Sequence, residues 1–272
     1  MPEPLVLLTY DDRGTQGRVA TVTLNNPAKL NSMNSALMEA FLDVMATLRA
    51  DETLRAVILR GAGDRAFVGG ADVRELAQLN PTTATAFITL VHRCCHAVRA
   101  LPVPVIARIR GHVLGAGVEL AASCDIRVAS TDSYFAMPEV RIGVPSVVEA
   151  AILPQLIGWG RTRQLLLTAE VIDGAKAERW GLIEELVAPD DLDAAVARIV
   201  DPIVASGPRA IRLQKQLITD WEDLPVRAAI DKGIACFADA FTTDEPTRML
   251  ADTLARLAAR SALVIVDGGL TL

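Results

Sequence analysis

Two carboxylates and two glycine-entered segments are the parts of this sequence with types and spacing suited to chemistry. Glu119 stands inside an otherwise apolar helical run, GAGVELAAS (115–123). An acid without a role is costly to bury there. Glu139 follows a strand and a proline in FAMPEVRIG (135–143). A carboxyl drawn out of water has a raised pKa and can act as general acid or base near neutral pH. Taken singly, Glu119 also fits a buried ion pair with an arginine, and Glu139 a solvated loop residue.

The glycine segments share one design. Gly69-Gly70-Ala71-Asp72 leads into VRELAQL (73–79), and Gly111-His112-Val113-Leu114-Gly115-Ala116-Gly117 leads into VELAASC (118–124). Small residues let a chain or ligand approach the backbone closely, just where a helix opens. The free N–H groups of a helix start favour negative charge. Two such donors aimed at one oxygen would make an oxyanion hole. Tight packing of helices on small residues is the other reading of either segment alone.

The elements that must position these groups follow from periodicity and breakers. LVLLTY (5–10) and RVATVTL (18–24) read as a hairpin closed through the Asp/Gly-rich 11–17. Apolar Leu37, Met38, Phe41, Val44, Met45 and Leu48 recur at helical spacing, with Asn34 or Ser35 as the cap. LRAVILRG (54–61) is a buried strand, AFVGG (66–70) a short extended piece, and a long helix runs from Pro81 to about Ala100. PVIARIRG (104–111), DIRVAS (125–130) and SYFAM (133–137) read as strands, and from Ser146 onward almost everything is helical. Short strands separated by turns and helices suit stacked layers as well as a doubly wound sheet.

Gly61-Ala62-Gly63 follows a strand as a dinucleotide fingerprint would, but Gly69–Gly70 leaves no room for the helix that should hold a pyrophosphate. His92 and His96 stand four apart on one helix, a spacing that can ligate a metal but also suits helix-surface or core histidines; no acid or cysteine joins them at a metal spacing, and no metal site is expected.

Composition sets the class. The 272 residues carry 27 basic and 33 acidic side chains, a net charge of −6, with 51% hydrophobic and 22% charged residues, which describes a globular chain able to bury a real core. Only four of the basic residues are lysines, and there is no Lys/Arg run, so nucleic acid is not an expected partner. The N-terminal MPEPLVLLTYDDRG lacks a basic n-region, and no apolar run approaches membrane-spanning length. Cys94, Cys95, Cys124 and Cys236 show no CxxC spacing and read as reduced thiols. A cytoplasmic protein without a membrane partner is the expectation.

In order along the chain, LNNPAKLNSMN (24–34), RAFVGGADVREL (65–76), PVPVIARIRGHVLGAGVELAASCDIRVAS (102–130) and FAMPEVRIGVP (135–145) resemble the enoyl-CoA hydratase/isomerase, or crotonase, superfamily. The resemblance runs from about Val19 to the helix near Phe241. It implies an α/β fold, a crotonase-like spiral of ββα turns, with residues 1–200 forming the core and acyl-CoA site. Residues 201–272 are then a helical region for trimerisation and for covering the CoA, and the assembly a homotrimer or a dimer of trimers.

The resemblance also implies roles. The oxyanion N–H groups fall on Ala71 and on Ala116, where the family usually has glycine. Glu119 and Glu139 fall on the two catalytic glutamates of the hydratase branch, with Glu119 as water activator and Glu139 as donor to C2. Arg65, Ala66, Phe67, Gly69 and Ala71 lie in the loop that meets the CoA adenine, Gly115 is a further substrate-binding position, and Lys29 lies in the segment that meets phosphates and pantetheine. The substrate would be an acyl-CoA and the reaction water addition to a 2-enoyl thioester, with no cofactor beyond the coenzyme A of the substrate. Isomerase, thioester hydrolase and C–C lyase chemistries share the fold, and a catalytically reduced scaffold or RNA-binding member is the reading from another class.

Three departures stand out. The family's glycine-rich turn after the second glutamate is here Gly143-Val144-Pro145-Ser146-Val147-Val148-Glu149, with Glu149 adding a carboxylate that reads as a helix-N-terminal dipole partner or a third site acid. The C-terminal helix keeps CFADAFTTDE (236–245) but places Pro246 for a glycine and ends in LARLAARSALVIVDGGLTL (254–272) without the usual basic and aromatic residues. His112 and Val113 add bulk beside the oxyanion segment.

Overall fold

The structure, a computed structural model, describes residues 3–267, and side-chain surroundings as far as residue 258; the end of the 254–272 segment lies outside the described residues. The chain divides into two compact units, Met1–Val204 and Ala205–Leu272. The expected boundary at 200/201 lies inside a helix that continues to Ala205.

Among the described residues, the first unit holds ten strands: β1 (Val6–Asp12), β2 (Arg18–Leu24), β3 (Leu54–Gly61), β4 (Ala66–Val68), β5 (Val105–Ile109), β6 (His112–Leu114), β7 (Ile126–Ser130), β8 (Tyr134–Ala136), β9 (Ile172–Asp173) and β10 (Glu185–Val187). Its helices are α1 (Ser35–Arg49), α2 (Val73–Leu76), α3 (Pro81–Arg99), α4 (Ala116–Ala122), α5 (Leu153–Thr168), α6 (Gly174–Trp180) and α7 (Leu192–Ala205). The second unit holds α8 (Pro208–Asp223), α9 (Val226–Ala240) and α10 (Glu245–Asp267).

From β3 to β8, successive strands alternate between two sheets. One runs β1-β2-β3-β5-β7-β10 and the other β4-β6-β8-β9. The hairpin β1–β2 is antiparallel, with Val6 opposite Leu24. β3, β5 and β7 then pair in parallel while β4, β6 and β8 pair in parallel beside them. Each turn of the chain thus lays one strand on each sheet, which makes a spiral of stacked layers and excludes the doubly wound alternative. Fully buried Leu24, Phe41, Leu59, Phe67, Ile109 and Phe135 fill the core between sheets and helices. A second cluster, with Val19, Ile106, Val128, Val196 and Val200, seats α7 on the large sheet.

Local signals explain the helices. Asn34 accepts from the Leu37 N–H and starts α1. Asn80 and Thr83 form a reciprocal capping box ahead of Pro81 and start α3. The expectation of helix nearly throughout from Ser146 onward needs correction at β9 and β10. These strands of two and three residues show no alternation of their own and exist by pairing with β8 and β7. Gly61 needs to be glycine because a Cβ there would collide with the Ala66 and Phe67 carbonyls, so the fingerprint-like glycines serve a close backbone crossing.

In the second unit, the Glu245 carboxylate accepts from the Arg209 and Ala210 N–H groups at the start of α8. Lys232 pairs with Asp220 at 2.6 Å and ties α9 to α8. Val226, Ile230, Ile234, Phe237 and Phe241 of this unit are exposed, and several of them border an apolar groove of about 630 Å³.

Candidate active site

The backbone of β4 and the start of α4 are brought together by two glycines. A Cβ at Gly117 would run into the Val68 carbonyl, and one at Gly70 would sit 3.1 Å from the Leu114 carbonyl oxygen. Gly70 has φ +95, a left-handed conformation that L side chains rarely adopt. The Gly70–Ala71 peptide therefore runs alongside Leu114–Gly115. Met33 is bridged to Ala71, donating to the Gly70 carbonyl at 2.8 Å and accepting from the Asp72 N–H at 3.0 Å. Ala71's own N–H is left over. Ala116 is the first residue of α4 after Gly115, whose N–H goes to the Ala136 carbonyl. Its N–H has no intrahelical acceptor by geometry. Among the described residues, neither Ala71 nor Ala116 donates its N–H to a protein group.

Glu119 sits one turn further along α4, 3% exposed, its Oε1 accepting from the Ala150 N–H at 3.2 Å. Burial is the main cause that pushes its carboxyl up to about 8; the charges of Glu139 and Glu149 add to this, and the Ala150 hydrogen bond opposes it. Glu139 opens the single 3₁₀ turn Glu139–Ile142 behind Pro138 and is half-buried. The Ser146 hydroxyl donates to its Oε2 at 2.9 Å. Its other oxygen lies over the Gly115 α-carbon, so a Cβ at 115 would overlap it.

The loop on the other side of Ala71 carries the remaining expected residues. Lys29 is partly exposed, with Nζ 3.4 Å from Asp72 Oδ2. Asp72 caps α2, and burial works against its charge. Hydrogen bonds from Arg74 and Glu75 and the Lys29 charge prevail and hold it below the usual carboxylate range. Arg65 is exposed, and its carbonyl accepts from His112 N–H at 3.0 Å. Gly69 packs beside Leu30. Ala66 and Phe67 are 2% and 1% exposed, so only their backbone can meet a ligand.

Sequence reasoning missed Asn31 and the partners of Ser146 and Glu149. Asn31, fully buried at φ +55, accepts from Asn26 N–H and donates to the Ala62 and Ala66 carbonyls at 3.1 and 2.8 Å, stapling the Lys29 loop to the 61–66 loop. Ser146 was legible only as a missing glycine. Glu149 stands in the first turn of the 3₁₀ helix Val148–Ile152, where a dipole partner would stand, and its Oε1 is also 2.7 Å from His92 Nδ1. His96 lies beside His92 with ring centroids 5.9 Å apart. Among the described residues, no group of three or more His, Cys, Asp or Glu could hold a metal. Val113 is buried in the core, and exposed His112 lies against Tyr134 with ring centroids 6.0 Å apart. No described helix is long and apolar enough to cross a membrane.

Two free N–H groups beside two carboxylates, one of them buried, describe a class of site that stabilises a developing oxyanion while moving protons. The sequence profile of the enoyl-CoA hydratase/isomerase family matches residues 14–251, and the chain belongs to that family. It is 36% identical over 231 residues, 85% of this chain and 88% of the other, to the short-chain-enoyl-CoA hydratase of Clostridium acetobutylicum. It is 33% identical over 225 residues, 82% and 85% of the two chains, to the crotonyl-CoA hydratase of Syntrophomonas wolfei. The crystal structure of enoyl-CoA hydratase from Mycobacterium smegmatis superposes with a TM-score of 0.88 at 29% identity, covering 93% of this chain and 97% of that one.

Proposed function

We propose that this chain hydrates a 2-enoyl-CoA thioester, with Ala71 and Ala116 as the oxyanion donors and Glu119 and Glu139 as the proton-moving pair. The observation that carries the reading is the convergence of those two unpaired N–H groups with two carboxyls whose charges interact. Similarity to relatives named as enoyl-CoA hydratases supports it.

Water adds its oxygen to C3 while electron density moves to the thioester oxygen, and N–H donors at Ala71 and Ala116 stabilise that enolate. One proton leaves the water and one arrives at C2. Buried Glu119 beside the half-buried Glu139, whose charge helps push the Glu119 carboxyl up, keeps its proton near neutral pH and supplies the acid of the pair. In the open site the proton rests on Glu119, the group pushed up to about 8. A water bridging both carboxyls passes it to Glu139, which leaves Glu119 to accept the proton of the attacking water and Glu139 to deliver one to C2. The chemistry takes coenzyme A as part of the substrate and calls on no further cofactor or metal.

Lys29 and Arg65 flank the loop on which the CoA would lie, Lys29 as a partly free cation and Arg65 as an exposed one. Ala66, Phe67, Gly69 and Gly115 would contribute backbone and close approach. Exposed Val140 and Val147 beside the glutamates offer the acyl group an apolar surface. The exposed apolar face of α9 supports assembly with further copies of the chain, read here as a homotrimer or dimer of trimers; a cytoplasmic location without nucleic acid or membrane as partner is part of the same proposal.

The test is incubation with short, medium and aryl 2-enoyl-CoAs in heavy-oxygen water. Label at C3 of one thioester is expected. Conversion of a thioester without label would favour an isomerase, and release of free CoA a hydrolase.

A further inference from the structure

The turn that departs most from the family is where the molecule concentrates unexplained polar chemistry. Glu149 is 6% exposed, and its Oε2 is sealed from solvent with no hydrogen-bond partner among the described residues. A carboxylate buried with half its acceptors unfilled is costly and, if only packing were needed, would be replaceable by an apolar side chain. Its neighbour Val148 has φ +40, an outlier for a β-branched residue that persists only where the surroundings impose it.

The surroundings that impose it are visible. The turn is gripped at three points: the Ser146 hydroxyl on Glu139, Glu149 on His92 of α3, and the Ala150 N–H on Glu119. Two of these grips are the proposed catalytic carboxyls. The third, the only one to reach outside the site, spans 57 residues and anchors the turn to the long helix.

We propose that Glu149, held by His92, is a positioning residue for the hydration site: the pair seats the 146–150 turn and thereby fixes the Glu119 carboxyl that the Ala150 N–H holds. This rests on the hydratase reading above. The Glu149 charge also contributes to keeping the proton on Glu119. The titratable and charged groups around Glu149 are few. Cys94 and Cys95 of α3 feel its charge, His96 lies beside His92 with ring centroids 5.9 Å apart, and Arg93 neighbours Cys94. Glu119 faces it from α4, while Arg161 and Arg163 of α5 are turned to Trp180 and Trp159.

The test compares Glu149→Gln, His92→Leu and His92→Gln with the wild-type chain, using crotonyl-CoA. Glu149→Gln and His92→Leu should lower kcat about ten- to a hundred-fold, as misplacement of a reacting group does, with KM within about two-fold. His92→Gln, which keeps a donor for Glu149, should recover most of that loss. Glu149→Gln should also move the alkaline limb of the kcat/KM profile to lower pH, which loss of packing alone would not do. Hydration with kcat and pH profile unchanged in both Glu149→Gln and His92→Leu would overturn this proposal and leave the hydratase reading standing. Absence of hydration by the wild-type chain with every one of the short, medium and aryl 2-enoyl-CoAs would overturn both. Should Glu149→Gln fail to fold, the two His92 variants decide, since that side chain is half-exposed.

Discussion

The Glu139 carboxylate lies directly over the α-carbon of Gly115, the residue that opens α4, with no space between them for a Cβ. Gly115 also has φ +50 and ψ −118. The glycine therefore holds the α4 entrance open for Ala116 N–H and leaves room for the second carboxyl. Gly115→Ala should displace Glu139 and strain the helix entrance together. The expected result is a kcat lower by about a hundred-fold or more, with a stability loss of about 1–3 kcal/mol. Steady-state kinetics and urea unfolding on one preparation check both; a variant with wild-type kcat would show that Glu139 is not held at this spot.

Ser146 takes the place of a glycine expected in the turn and gives Glu139 a hydroxyl donor at 2.9 Å. Hydrogen bonds to charged groups are worth about 1.5–3 kcal/mol, so Ser146→Ala should lower kcat by about ten- to a hundred-fold with little change in fold stability. Ser146→Gly, the family-like residue, separates the donor from the backbone. If it restores activity that Ser146→Ala lacks, the turn's flexibility matters more than the hydroxyl.

Much of this was legible in the chain, for identifiable physical reasons. Glu119 announced itself as an acid in an apolar helix, and the hairpin, α1 and α3 followed from alternation, periodicity and the Asn34 and Asn80 caps. What was not legible depends on distant partners. β9 and β10 have too few residues to show a pattern and form only against β8 and β7. The alternation of strands between two sheets is a property of pairing and leaves no local trace. Glu149 carried the signal of an acid near a helix start, and only the approach of His92 reveals its partner. Asn31 reads as one more loop asparagine until its side chain is seen bonding three backbone groups.

Asn31 supplies the next expectation. Its amide satisfies the Asn26 N–H and the Ala62 and Ala66 carbonyls at a fully buried position. Each buried polar group left unpaired costs about 1–3 kcal/mol. Asn31→Ala should therefore destabilise the chain by about 3 kcal/mol or more and loosen the loop that carries Lys29. A lowered urea midpoint with a raised KM for the CoA thioester is expected. A midpoint within error of wild type would mean water fills the staple.

The thiols give a chemical probe of the same core. Cys94 is pushed up to about 12, burial being the main cause, and Cys95 is raised in the same direction by burial. Thiolates do the alkylation, so both should resist iodoacetamide in the folded chain at pH 8. Peptide mapping of the native and the urea-unfolded chain should find these two cysteines labelled only in the second. Fast native labelling of Cys94 would show that α3 opens readily from the core.

The Glu119 carboxyl makes activity and stability respond to pH together. In the unfolded chain it takes an ordinary value near 4.5, while the folded site holds its proton up to about 8. Between these values the folded state binds more protons than the unfolded one, so stability falls as pH rises through that window. Below 4.5 both forms are protonated and the contribution is whole; above about 8 it is gone. Glu119→Gln carries no charge and should be more favourable relative to wild type at pH 9 than at pH 4.5, as read by thermal unfolding. The wild-type kcat/KM should fall as pH rises through about 8, where the glutamate pair gives up its shared proton. Glu119→Gln should abolish hydration at every pH. A variant that gained no relative stability at alkaline pH would show that Glu119 ionises freely in the folded chain, and a different group would then have to supply the shared proton.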